Sequence, residues 1–281
     1  MQHIAIISSS KDTAGVNIRN NLIELFHFEK LNEKFENNDI FEYNVITHKI
    51  IKLYLINDDV IFSENIDKKI NADVFIFASK HRSKEHTPSF AVHPIGNWSK
   101  AEFGGQEGKL CFSSSFLLKN LFIELSNVAK NTNFKLTLEA THHGPYVEKP
   151  AVFVEIGSGE KEWSDVSNGK IIAKIIIQAL ENETKNYKSC IVLGGGHYNQ
   201  AGNKIMLKTE YAIGHICPKY LLKYLNEEML MQAMNKTIPK PDIILMDWKG
   251  LGQFKQKIIT LLENLDVKYQ RVQNILREKS D

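Results

Sequence analysis

Ser189-Cys190-Ile191-Val192-Leu193-Gly194-Gly195-Gly196-His197-Tyr198 opens as a short, mostly apolar run and closes on three glycines, an imidazole and a phenol. A run this short, with so little polarity on either side, reads as a strand buried on both faces. The same reading applies to His3–Ser8, Asp73–Ser79, Lys135–Thr141, Ala151–Ile156 and Asp242–Asp247. Segments of helical period lie between them. Leu118, Leu121, Phe122, Leu125 and Val128 follow the N-cap residues Ser113-Ser114-Ser115; Ile171, Ile172, Ile175, Ile176 and Ala179 form a second stripe; Phe254, Ile258, Ile259, Leu262 and Leu265 form a third. Strands alternating with helices predict an α/β fold, a mostly parallel sheet with helices on both faces.

The 281 residues, 43% hydrophobic, suffice for a full core and are expected to form one domain over 1–281, with 241–281 as a strand plus helical flank. Residues 30–70, rich in Asn, Lys and Glu, are expected to add a peripheral helix and strands. The N-terminal run is too short for a signal-peptide core, and no apolar stretch reaches membrane-spanning length. Cys111, Cys190 and Cys217 are odd in number and form no CxxC pair, which argues against a disulfide framework or thiolate zinc site and for a cytoplasmic protein. A net charge of +2 does not announce a nucleic-acid binder, so any RNA must be held by a local patch.

Polar residues gather where the strands end. Lys80-His81-Arg82 follows one, His142-His143-Gly144-Pro145 another, then Gly157-Ser158-Gly159, Gly194-Gly195-Gly196-His197-Tyr198 and Asp247-Trp248-Lys249-Gly250. Ligands of open α/β sheets bind outside the carboxyl ends of strands, so parallel strands would bring these five loops to one rim. Each loop also has a structural reading. His81 and His86 would be solvated loop residues, the glycines would serve close packing, and adjacent histidines on a strand point to opposite faces. A following Gly-Pro can turn the chain and bring His142 and His143 to one cavity. The glycine run lacks a phosphate-loop lysine and dinucleotide spacing, and Ser158 does not sit in a Gly-x-Ser-x-Gly elbow. Glu139 and Glu155, within strand-like runs, need a charged partner, hydrogen bonds or a metal. His93 reads as part of a pocket-walling loop with Asn97 and Trp98, and His215 as the residue before a helix starting near Pro218.

In order along the chain, Ser79-Lys80-His81, Val92-His93-Pro94-Ile95-Gly96-Asn97, Gly104-Gly105, Glu139-Ala140-Thr141-His142-His143-Gly144-Pro145, Glu155-Ile156-Gly157-Ser158, Gly195-Gly196-His197-Tyr198 and Gly214-His215-Ile216 resemble the archaeal and plant D-aminoacyl-tRNA deacylases. The resemblance runs from about Ser79 to Tyr220. It implies the three-layer α/β/α fold of the phosphorylase/hydrolase-like group, which includes peptidyl-tRNA hydrolases. It also implies zinc and hydrolysis of the ester joining a D-amino acid to the terminal ribose of tRNA. On this expectation His93, His197, His215 and Glu155 hold the metal, while His142, His143 and Glu139 carry the acid–base chemistry. Backbone near Gly195-Gly196 would meet the oxyanion, and Asn97-Trp98 would wall the amino-acid pocket. His81 and Tyr198 would contact substrate, and Lys80, Arg82, Lys84 and Lys219 would face tRNA phosphates. Two rival readings are an amidase, aminopeptidase or peptidyl-tRNA hydrolase on the same scaffold, and a tRNA-binding protein without catalysis.

Overall fold

A computed structural model describes residues 1–45, 48–83, 86–182 and 186–278. The strands fall into two main sheets. The larger contains β1 (Gln2–Ser9), β2 (Glu29–Phe35), β3 (Asn38–Val45), β4 (Lys49–Ile56), β5 (Val74–Arg82), β6 (Ser89–Pro94), β8 (Lys135–Leu138) and β9 (Ala151–Ser158). Its spatial order is β2-β3-β4-β1-β5-β9-β6-β8. The smaller has the order β11-β10-β13-β14, from β10 (Lys188–Leu193), β11 (Tyr211–Cys217), β13 (Ile243–Met246) and β14 (Tyr269–Arg271), all parallel. The two-residue strands β7 (Ser113–Ser114) and β12 (Thr237–Ile238) pair with each other.

The α/β class expected from the sequence is the one observed. Alternation along the central strands feeds two cores. Ile4, Ile6, Ile76 and Ala78 pack toward α1 (Thr13–Phe26), α2 (Ser115–Ala129) and α4 (Val166–Glu181), in a cluster that continues through Val192, Ile213 and Leu245 of the second sheet. Ala5, Ile7, Phe75 and Phe77 face the opposite way. That second face of the large sheet is covered by 3-10 turns at Val60–Phe62 and Ile66–Lys68 and by loops bearing Ile95, Cys111 and Val147, where helices were expected. The smaller sheet is helix-covered on its outer face, by α6 (Glu227–Asn235) and α7 (Lys255–Asn264), after the short helices α3 (Glu160–Ser164) and α5 (Gln200–Lys208). Ser114 caps α2 as anticipated, accepting from Leu117 N–H, and Asp12 caps α1 in the same way by accepting from Gly15 N–H.

Residues 30–70 hold strands and 3-10 turns and, among those described, no α-helix. Strands β2 and β3 form a hairpin whose two turn residues, Glu36 and Asn37, have φ of 50° and 65°. The hairpin ends at the sheet edge, where exposed Lys and Glu discourage further pairing. The C-terminal stretch is more than a flank: β13 sits between β10 and β14, with α8 (Val272–Arg277) beyond.

One change of direction decides where the site lies. Strand β6 runs antiparallel to β9, and β8 runs parallel to β6. The carboxyl end of β8 therefore points against those of β5 and β9. The polar cluster forms on the sheet where these opposed directions meet, with Glu155 beside Ser79 on one side and Ala91 on the other.

Candidate active site

The chain leaving β8 carries Glu139 as a bridge partner of Tyr198, and His142 as a bridge partner of Ile95 just past β6. His143 then takes φ = 41°, a left-handed backbone that breaks strand alternation, and its ring lies 4.2 Å from that of His142. Gly144 is required next: a Cβ there would come within 2.1 Å of the Gly105 nitrogen. His93, at the end of β6, completes a group of rings 4.1 Å from His142 and 4.8 Å from His143. A tight turn at Gly194 and Gly195, with φ of 101° and 83°, delivers His197 to the other side of His142 at 4.5 Å.

Glu139 is fully buried at the centre. Its Oε2 lies 3.1 Å from His197 Nε2 and 3.5 Å from His142 Nε2, and its Oε1 lies 3.1 Å from His81 Nδ1, off hydrogen-bond direction. Glu155 Oε2 sits 3.5 Å from His81 Nδ1 and 3.8 Å from His93 Nε2. His81 Nε2 meets the Tyr198 hydroxyl at 3.1 Å, and His197 Nδ1 meets that of Tyr220 at 3.3 Å. Burial works against a charge on His81, but its hydrogen bond to Glu155 and the charges of Glu139 and Glu155 raise its pKa to about 9. It is a cation at neutral pH. Burial also pushes the Glu155 carboxyl upward, helped by Glu139 and opposed by His81.

Three imidazoles are tuned the other way. Burial holds His93 and His142 well below the usual histidine range and lowers His143 to about 4, so all three are neutral. Their Nδ1 atoms contact the carbonyls of Pro94, Ala140 and Gly144 at 3.1, 2.8 and 2.6 Å. A carbonyl accepts only, so each Nδ1 bears the proton and each Nε2 keeps a lone pair. The lone pairs of His142 and His93 thus face carboxylates, and His93 Nε2 has no hydrogen-bond partner. One ligand atom from each of His93, His142 and His143 lies within 4.8 Å of the others; Glu139–His142–His197 and His81–Glu139–Glu155 meet the same limit. The donor set suits a divalent cation that accepts imidazole and carboxylate.

Two clefts open from this cluster. The first, about 490 Å³, is lined by Asp12, Asp59, Lys80, Arg82, Glu139 and Glu155 among others; the second, about 500 Å³, by Asn97, Lys100, Glu102, Tyr220, Lys223 and Tyr224. Phe103, His142, His143 and His197 line both.

Several expected roles change place. His215 lies on β11, where a pre-helical loop was expected. It is wholly buried against Thr141 and belongs to none of the metal-capable groups found among the described residues, so it is withdrawn as a metal ligand. Gly195 donates its N–H to the Gly250 carbonyl, and neither Gly195 nor Gly196 lines a cleft, so this turn positions His197 and offers no oxyanion donor at Gly195. Asn97 donates to the Gly104 carbonyl and buried Trp98 to that of Ile216; both brace the wall of the second cleft. Lys80 Nζ donates to the Lys11 carbonyl and Arg82 lies over the Trp163 ring, both at the first cleft. Lys219 packs against Gly252, His86 is exposed outside the cluster, and Lys84 lies outside the described residues. Ser158 is buried, its hydroxyl donating to the Thr87 carbonyl, and all three cysteines are buried with thiols pushed upward by burial. Asp12, Phe103 and Tyr224 were not singled out from the sequence, although Asp12 also follows a strand end; Tyr220 closed the stretch of resemblance without a role assigned to it.

Buried His215 gives a testable pH signature. Its folded pKa is lowered by burial to about 3, below the unfolded value of about 6.5. Above pH 6.5 both states are neutral there. Below it the unfolded chain takes up a proton that the folded chain refuses, so stability falls with pH by up to about 1.4 kcal/mol per unit. His215→Leu is expected to flatten the decline in melting temperature between pH 6.5 and 4; an unchanged slope contradicts the assignment.

The chain is similar to known proteins along most of its length. The family model for D-aminoacyl-tRNA deacylase matches residues 68–270. The D-aminoacyl-tRNA deacylase of Thermococcus kodakarensis is 32% identical, covering 95% of this chain and 98% of its own length. That of Methanosarcina barkeri is 34% identical over 98% of this chain and 91% of the relative. A crystal structure described as a conserved protein of unknown function superposes with a TM-score of 0.88 at 29% identity, covering 98% of this chain and 97% of that one. By these matches the chain belongs to the D-aminoacyl-tRNA deacylase family.

Proposed function

We propose that this chain hydrolyses the ester between a D-amino acid and the terminal ribose of tRNA in the cytoplasm, with zinc held by His93, His142 and His143. One observation carries the zinc assignment: neutral imidazoles present bare Nε2 atoms to the buried carboxylates Glu139 and Glu155, at 3.5 and 3.8 Å. Facing lone pairs repel unless a shared proton or a cation lies among them, and a single cation satisfies both pairs at once. Glu139 and Glu155 are close enough to complete the donor set. When bound, zinc supplies a Lewis acid that activates water and polarises the ester carbonyl.

The remaining chemistry belongs to side chains. Glu139 accepts the Nε2 proton of His197, which makes Nδ1, facing Tyr220, the basic atom. His197 takes a proton from the attacking water at Nδ1 and returns it to the departing ribose oxygen. The His81 cation, in the wall of the first cleft beside Tyr198, stabilises negative charge developing on the carbonyl oxygen. This reading moves His142 and His143 from acid–base work to metal binding, and His197 the other way. Chirality follows from shape, since an L-ester would put its side chain where the D-ester has hydrogen.

Turnover of D-tyrosyl-tRNA by the purified protein, with and without chelator, tests the proposal against L-tyrosyl-tRNA and N-blocked peptidyl-tRNA. Preference for the peptidyl substrate would favour a peptidyl-tRNA hydrolase. No turnover of any of the three would reject esterase function. Ser158→Ala and alanine variants of the three cysteines are expected to lose less than about 10-fold, against the 10²–10⁴-fold of a lost acid or base. A larger loss in a folded variant would restore a nucleophile to the mechanism.

A further inference from the structure

The exposed aromatic side chains among the described residues are Phe62, Phe103, Tyr198, Tyr220 and Tyr224. None is scattered over the remaining surface. Phe103, Tyr198, Tyr220 and Tyr224 line the two clefts, and the Phe62 ring lies beside Gly104, next to Phe103. Isolated exposed rings are ordinary; a gathering of all of them at one mouth marks a binding surface.

The clefts differ in charge. In the first, Glu139 and Glu155 face His81, Asp12 accepts from Gly15, Ser79 and Lys80, and half-buried Asp59 is the carboxylate left toward the opening, with Lys80 and Arg82 on the rim. The second carries Lys100 and Lys223 against Glu102, a basic balance, with Tyr220 and Tyr224 on the same wall. Lys223 Nζ lies 4.7 Å from the Tyr224 ring centre, so an ammonium and a π-face are presented together. Aromatic faces beside cations fit unpaired nucleotides, since every base can stack and every linkage carries a phosphate. The Asp59 carboxylate fits an ammonium. The clefts join along His142, His143 and His197, where the bond to be broken must lie.

We propose that the second cleft receives the unpaired 3′ nucleotides of tRNA, with a base on Tyr224 and phosphates at Lys100 and Lys223. The first cleft then takes the D-aminoacyl group, its α-ammonium toward Asp59. This assignment rests on the deacylase reading and gives its two-part substrate a direction. It displaces Lys80 and Arg82 as the leading phosphate contacts, because both border the first cleft, which takes the aminoacyl group.

Two probes test it: deacylated tRNA and the trinucleotide CCA, titrated at several salt concentrations against the whole protein. Tyr224→Ala is expected to weaken trinucleotide binding by about 5-fold or more, with Tyr224→Phe close to wild type. Lys223→Gln is expected to flatten the dependence of log affinity on log salt by about 0.7, the share of one single-strand phosphate, and Arg82→Ala to leave it unchanged. Wild-type binding by both Tyr224→Ala and Lys223→Gln overturns the assignment. So does transfer of the slope change to Arg82→Ala, which would send the RNA along the first cleft. D-Tyrosyl-tRNA turnover in the same preparations separates the two failures. Wild-type turnover with an unaltered KM in Tyr224→Ala rejects only the cleft assignment, whereas absent wild-type turnover rejects the deacylase reading beneath it.

Discussion

Glu139→Gln is expected to lower kcat for D-aminoacyl-tRNA by about 10²- to 10⁴-fold while leaving the protein folded. The substitution keeps the shape of a fully buried side chain and removes its charge. One of the two oxygens becomes an amide nitrogen, which donates and cannot accept. If it takes the Oε2 position, it faces the His197 Nε2 proton at 3.1 Å and forces the imidazole to turn or change tautomer. If it takes the other position, it faces His81 Nδ1 at 3.1 Å, itself a donor in the cationic ring. Either arrangement disorders a group that the proposed reaction uses. A purely structural role would be met by the isosteric amide, so the second readout is the His81 titration. Glu139 is one of the charges raising that pKa to about 9, and the variant should titrate lower by nuclear magnetic resonance. A kcat within about 3-fold of wild type, far below the scale of a lost catalytic group, would remove Glu139 from the mechanism.

The sequence made the α/β class legible because its central strands are buried on both faces, and continuous apolar runs such as Phe75–Ala78 have few other readings. Strand direction was not legible. Strand β6, Ser89–Pro94, contains a histidine and ends in proline, so it reads as loop; yet it reverses the sheet and sets His93 beside His142. Strand β11 was hidden similarly by Gly214-His215, so His215 read as a residue before a helix, whereas it is buried within a strand. Gly214 is there for packing: a Cβ would come within 2.2 Å of the Thr237 methyl. The polar hairpin at residues 29–45 lacked the apolar run that betrays a central strand, because it forms a sheet edge with little to bury.

The cluster's membership was largely legible, while its division of labour was not. His81, Glu139, His142, His143, Glu155, His197 and Tyr198 all line the first cleft, and each stands in a segment the sequence singled out. What sorts them is which ring nitrogen is already used. The carbonyls of Pro94, Ala140 and Gly144 claim Nδ1 of three histidines, a carboxylate claims Nε2 of His197, and two carboxylates face Nδ1 of His81. Those partners depend on backbone turns such as the left-handed residue at His143, which no residue spacing reveals.

Removal of metal is expected to lower the melting temperature of the wild-type protein by on the order of 10 °C, and that chelator-sensitive part should vanish in His93→Ala, His142→Ala and His143→Ala. A ligand held at about 1,000 times its dissociation constant stabilises the folded state by about 4 kcal/mol, which is the origin of the shift. His93 is wholly buried, so its removal also leaves a cavity and lowers stability on its own account. The decisive quantity is therefore the difference with and without chelator within each variant. His215→Leu should keep the full difference, because that imidazole belongs to none of the metal-capable groups among the described residues. Acidity offers a further check. A proton competes with metal for each imidazole lone pair, and an ordinary histidine at pH 5 is mostly protonated. Burial lowers His143 to about 4 and holds His93 and His142 well below their usual range, so occupancy should persist from pH 7 to pH 5. Anomalous scattering at the zinc edge, collected at both pH values, locates the ion. A peak confined to Cys111, Cys190 or Cys217, or a melting temperature indifferent to chelator in the wild type, would dissolve the triad; loss of the peak by pH 5 would point instead to ligands that titrate as ordinary exposed histidines.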